Sequence, residues 1–214
     1  AAPPITRSRS TVSRDLSVPP EGTPSPVRCL ELRGLGGLPR ELGVELASRL
    51  SRRVALPCRL GDELDDLTIP WMDERSQVDA DRLLGLLEER ELPPGTVLVG
   101  ITTLDIGNPI FSFFFGLAHR GGRAALVSLA RLDPVFYGLD ADPALTLERA
   151  AREVLHEVGH VAGLGHCHDN ACVMRFASAV ELIDVRGASY CDGCAADLPG
   201  SFGCVARRAG VNRG

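Results

Sequence analysis

The chain has 214 residues, 44% hydrophobic and 24% charged, the size and balance of one globular domain or two small ones. All 23 basic residues are arginine, which excludes a Lys Schiff base and a Lys-dependent phosphate loop, while a net charge of -5 argues against nucleic acid or an anionic membrane as main partner. With 5% aromatic residues against 23 Gly and 15 Pro, the core must rest on Leu, Val, Ile and Ala between many turns, and no apolar run reaches bilayer-spanning length.

Residues 1–26 hold six Pro and eight Ser or Thr and read as a disordered tail, because they cannot bury enough surface to offset ordering entropy. From Val27 the run VRCLELRGL predicts a strand. PRELGVELASRLSRRV predicts a helix after Pro39, with Leu42, Val44, Leu46 and Leu50 near helical spacing, and VALPCRL a second strand. SQVDADRLLGLLEER, with Leu83, Leu84, Leu86 and Leu87, predicts a helix capped by Ser76 or Asp79 and ended near Pro93. GTVLVGITTLDI is β-branched and predicts a buried strand. FSFFFGLAHRGGRAALVSLARL predicts two strands joined across Gly121-Gly122, so the sheet should be mixed. After a Pro-containing loop, LTLERAAREVLHEVGHVAGL has the spacing of an amphipathic helix, with Thr146 as candidate cap. No internal repeat and no dividing linker interrupts residues 27–205, and residues 206–214 read as a frayed tail.

The chemistry is concentrated at the end of that last helix, where His156, Glu157, His160, Gly163 and His166 form HExxHxxGxxH. Residues four apart share a helical face, so His156 and His160 can present ring nitrogens to one ion. Glu157 stands beside the first of them without taking a coordination position, as a general base requires. Gly163 tolerates the left-handed backbone that ends a helix, which lets the chain bring His166 back as a third ligand and leaves a fourth position open. A lone His on such a helix would be an ordinary satisfied side chain; three at this spacing point to zinc. His119 and His168 read as non-ligands.

Seven cysteines stand at 29, 58, 167, 172, 191, 194 and 204, and four of them fall within 28 residues. Cys167, Cys172, Cys191 and Cys194 read as a closed tetrahedral sulfur site for a structural zinc. The competing readings are two disulfides, disfavoured because no charged segment followed by an apolar run marks a secretory signal, and a CxxC redox pair, disfavoured because no helix start is evident after Cys191. A cytoplasmic location is therefore the default expectation. Cys29, Cys58 and Cys204 read as small buried hydrophobes.

HEVGHVAGLGHCHDNACVM followed by CDGC resembles the archaemetzincins, zinc metallopeptidase-like proteins whose signature runs past the third His into Cys-x4-Cys-x-Met and a distal CxxC. IFSFFFGLAHRGGRAALVSLARL and DPVFYGL are similar to that family's segment before the helix, so the likeness covers roughly residues 95–194 and, more weakly, 27–94. The spacing departs in one respect: sixteen residues separate Met174 from Cys191, one fewer than is usual in the family, a change a surface loop absorbs. The resemblance implies a zincin/metzincin-like single α+β domain over 27–205, with a twisted mixed β-sheet, an active-site helix and a small C-terminal zinc-bound subdomain. It implies two zinc ions, one catalytic on His156, His160 and His166 with Glu157 as base, and one structural on Cys167, Cys172, Cys191 and Cys194. Met174 would be the Met-turn residue beneath the catalytic ion, supporting rather than ligating.

The reaction expected is hydrolysis of a peptide or protein substrate, with the chain laid along an edge strand within Phe111 to Arg120. A zinc-stabilised binding protein with little or no turnover is the alternative from another class, and a cysteine redox sensor ranks last.

Overall fold

The computed structural model describes residues 27–199. The expectations for residues 1–26, for 206–214 and for Cys204 lie outside the described residues.

Five strands make the principal sheet: β1 (Cys29–Leu35), β2 (Cys58–Leu60), β5 (Thr96–Thr102), β7 (Gly116–Ala118) and β8 (Ala124–Ser128), in the order β2-β1-β5-β8-β7. All neighbours are parallel except β7, which pairs antiparallel with β8 and, last in the order, is one edge of the sheet. A second, unexpected sheet joins β3 (Trp71–Met72), β4 (Gln77–Asp79) and β6 (Ile106–Gly107). Strands of two or three residues carry too little alternation to stand out in a sequence. The α+β class and the mixed sheet are as expected.

Side-chain alternation sends the two faces of the sheet to different helices. Val97, Val99 and Ile101 of β5 join Leu30, Leu32 and Val127 against α1 (Arg40–Ser51) and the long α3 (Pro143–Val161). Leu98, Leu126 and Leu35 face α2 (Ala80–Glu88), whose Leu83, Leu84 and Leu87 are fully buried. Nine residues form no stable helix alone, and at about 1.5–3 kcal/mol per buried leucine this contact is what holds α2. The C-terminal α4 (Val180–Val185) and α5 (Asp192–Asp197) dock on the α3 side, with Ile183, Tyr190 and Leu198 in the same core as the sheet. No described helix is long and apolar enough to cross a membrane.

Several local expectations change. Asp142, not Thr146, caps α3: its carboxylate accepts from the Leu145 N–H at 2.9 Å, Pro143 opens the helix, and the Thr146 hydroxyl donates back to the Asp142 carbonyl at 3.0 Å. Of the two candidates for α2, Asp79 is the cap, accepting from the Arg82 N–H at 3.1 Å. The second strand shrinks to Cys58–Leu60 behind Pro57, which has no N–H for a ladder. Strand structure is absent from the run of phenylalanines up to Phe113. Arg75 donates to the carbonyls of Asn108, Phe111 and Ser112, and the Asn108 side chain accepts from Ile110 and Phe111 N–H, so this backbone is bonded as a loop. Cys29 and Cys58 are half-buried rather than buried, and burial pushes the Cys58 thiol up to about 11.

Candidate metal centres and cleft

Helix α3 ends one turn past His156. Gly163, with φ of 97°, adopts the left-handed conformation the sequence reading assigned to it. Its N–H bonds to the His160 carbonyl at 2.8 Å and the Leu164 N–H to the Gly159 carbonyl at 2.9 Å, a Schellman closure that turns the chain toward His166. One ring nitrogen from each of His156, His160 and His166 lies within 4.8 Å of the others, and the Nε2 atoms of His156 and His160 are 3.1 Å apart.

Backbone carbonyls orient two of these rings. The Nδ1 of His156 lies 2.9 Å from the Val173 oxygen and that of His160 2.9 Å from the Leu164 oxygen. A carbonyl only accepts, so each Nδ1 carries the proton and each Nε2 turns a lone pair to the common centre. His166 packs edge-on against Phe176, ring centroids 5.1 Å apart. Burial, with the Arg186 guanidinium second, pushes His156 down to about 2, and burial lowers His160 and His166 as well. Neutral imidazoles with converging lone pairs are the donor set zinc takes, so the site fits that ion. Neither His119 nor His168 joins it: His119 pairs with Glu88 at 2.9 Å, and His168 is exposed.

Met174 is fully buried against Gly159, where a Cβ would fall 2.3 Å from the Met174 sulfur. Glu157 is buried beside β7. Burial, and the Glu153 carboxylate one turn earlier, push its pKa well above the usual carboxylate range. Glu153 in turn is ion-paired with the buried Arg186, whose Nη1 also reaches the Arg175 carbonyl at 3.3 Å. The sequence reading singled out neither residue. Glu153 had a signal, its position four before Glu157 on the same helical face; Arg186 had none.

The three histidines, Glu153, Glu157 and Arg186 line a cleft of about 510 Å³ walled by Phe111, Phe113, Phe115, Phe176 and β7. The Ser128 N–H bonds to the Phe115 carbonyl at 2.9 Å. Alternation along an antiparallel pair then turns Leu117 toward β8 and leaves the backbone groups of Gly116 and Ala118 on the outer edge. The exposed edge is therefore this three-residue strand, which lies within Phe111 to Arg120.

The sulfur atoms of Cys167, Cys172, Cys191 and Cys194 also lie within 4.8 Å of one another, and all six described cysteines are free. The Cys167 and Cys191 sulfurs are 3.8 Å apart, well beyond a disulfide bond. Contrary to the sequence reading, Cys191 does open a helix, α5. The Cys194 backbone N–H lowers its pKa, while burial and the neighbouring thiols raise that of Cys194. One thiolate thus makes the next harder to form, a conflict that a divalent cation removes, so this donor set also fits zinc.

The two clusters are stitched together. Cys167 follows His166, Cys172 precedes Val173, whose carbonyl orients His156, and Cys191 follows Tyr190, whose hydroxyl donates to the Leu155 carbonyl at 2.6 Å.

The model of Peptidase family M54 matches residues 39–199. An archaemetzincin of Pyrococcus horikoshii is 50% identical over 96 residues, 45% of this chain and 51% of that protein. The matched region thus spans about half the length of that curated relative. Among solved structures, a zinc-dependent peptidase from Methanocorpusculum labreanum superposes with a TM-score of 0.71 at 25% identity, covering 79% of this chain and 100% of that one. The archaemetzincin of Methanopyrus kandleri superposes at 0.65 with 32% identity, covering 78% of this chain and 91% of that one.

Proposed function

The chain belongs to peptidase family M54, and from that premise we propose that it is a zinc metallopeptidase that hydrolyses peptide bonds in the cleft between β7 and α3. The observation that carries the reading is the convergence of three imidazoles with a buried carboxylate alongside. His156, His160 and His166 would hold the catalytic ion, and Cys167, Cys172, Cys191 and Cys194 a structural one, with Met174 as the floor beneath the first. Zinc bound at the histidines supplies Lewis acidity, polarising a carbonyl and acidifying water.

The chain's own residues do the rest. Gly116 and Ala118 offer main-chain N–H and C=O groups to an extended peptide, and the phenylalanines of the wall accept its apolar side chains. A Glu157 carboxylate oxygen takes a proton from the water whose oxygen adds to the scissile carbonyl carbon. It returns that proton to the departing amine as the C–N bond breaks. The free thiols gathered for metal support a cytoplasmic site of action, where such thiols stay reduced.

Glu157→Gln is the test. It should keep its zinc, measured by elemental analysis, while cleavage of a peptide library falls by about a hundred-fold or more, and a chelator should stop the native protein. Undiminished cleavage by the variant removes Glu157 from its role. Peptide binding without chelator-sensitive cleavage by the native protein marks a binding protein instead.

A further inference from the structure

Gly116 opens β7 opposite Val127 and lies against Glu157 of the active-site helix. Its backbone is ordinary: φ is not in the left-handed region, so the strand geometry itself would accept an L side chain. What excludes one is Glu157. A Cβ on residue 116 would lie 2.7 Å from the Glu157 Cγ, 2.8 Å from its Oε1 and 3.1 Å from its Cδ. The carboxylate occupies the volume that a side chain of the strand would otherwise fill.

Glu157 has little room to yield. Its carboxyl meets that of Glu153, and Glu153 is pinned by Arg186, which is itself buried and bonded to the Arg175 carbonyl. A methyl group on residue 116 must therefore either push the strand outward or drive the carboxylate away from the place it shares with the imidazoles.

We propose that Gly116 is a positioning residue for the general base: its bare α-carbon is the socket that seats the Glu157 carboxylate at the substrate edge of the cleft. The same residue turns its N–H and C=O to that edge, so the strand that would register the peptide also fixes the group that moves the proton. The inference rests on the metallopeptidase reading and adds to it a determinant outside the HExxH segment.

The test is a pair of double-mutant cycles. In the first, Gly116→Ala should retain zinc and lower kcat by about a hundred-fold with little change in KM, as expected for a base displaced by roughly an ångström. In a Glu157→Asp background, where the carboxylate is drawn back by one methylene, the same substitution should cost less than about three-fold. The second cycle reads thermal unfolding alone. Gly116→Ala should lower Tm in the native background, or prevent folding altogether, and leave Tm unchanged once Glu157→Ala has emptied the space. Equal effects in both backgrounds, in either cycle, overturn the proposal, as does native kcat in Gly116→Ala. If the native protein shows no chelator-sensitive cleavage, the metallopeptidase reading fails; if Glu157→Gln proves fully active, the base role of Glu157 and the socket fail together; if Glu157→Gln is dead and Gly116→Ala is native in kcat, only the socket fails.

Discussion

The Val173 carbonyl decides what His156 can do: by accepting a hydrogen bond from Nδ1–H it keeps the proton there and leaves the Nε2 lone pair free for a metal. The HExxHxxGxxH spacing was enough to place three histidines and the glycine that turns them, because helical periodicity and a left-handed stop are local properties of the chain. The carbonyls that orient the rings were not legible, since a peptide oxygen leaves no mark in the sequence. Nor was the Arg186–Glu153 pair, whose partners are 33 residues apart and meet only through tertiary packing. Met174 came from family likeness alone, and it is fully buried against Gly159. Met174→Ala should therefore cost about 2–5 kcal/mol in denaturant unfolding without loss of zinc. Loss of the metal with unchanged stability would make the sulfur a ligand instead.

Among elements, the β7-β8 hairpin and the end of α3 behave as one piece. The Arg120 guanidinium donates through Nε and Nη2 to the Gly163 carbonyl at 3.1 and 2.7 Å, and the Gly121 N–H reaches the His160 carbonyl at 3.0 Å. A cation and an amide thus satisfy carbonyls at the helix C-terminus, on the turn that leads to His166. Arg120→Ala should weaken zinc binding at the histidines by about ten-fold, read by competition with a chromophoric chelator, and Arg120→Lys should recover part of it. An unchanged affinity would show that the turn holds its shape unaided. The hairpin itself was visible in Gly121-Gly122, but its first strand is shorter than the apolar run suggested. Hydrophobicity could not reveal that Arg75 and Asn108 had already engaged the backbone before Gly116.

The whole molecule is organised by a sheet packed with helices on both faces, yet one buried position on that sheet is charged. Glu31 lies within β1 and is held by Arg33 and Arg59. Burial alone would raise its pKa, but the two guanidiniums override it and hold the carboxyl below the usual range. A folded value below the unfolded one, about 4.3 for glutamate, means that Glu31 stabilises the fold above that pH. The contribution is lost as the pH falls below it toward the folded value. Glu31→Gln should accordingly be less stable than the native chain at pH 7, with the gap closing under acid conditions in urea titrations. A gap that did not depend on pH would assign the difference to packing rather than charge.

Sequence patterning conveyed the large elements, because α1, α3, β1 and β5 each repeat their apolar spacing long enough to be seen. It missed the small sheet and the two C-terminal helices, which owe their form to what they lean on. The unpaired margin of β7 has a consequence of a different kind. Open strands invite copies of the same chain to stack on them, and proteins blunt that hazard by keeping such borders short. The border here is three residues long, bounded by an irregular loop on one side and a tight turn on the other, so a folded sibling would find little to grasp while a flexible visitor would need no more.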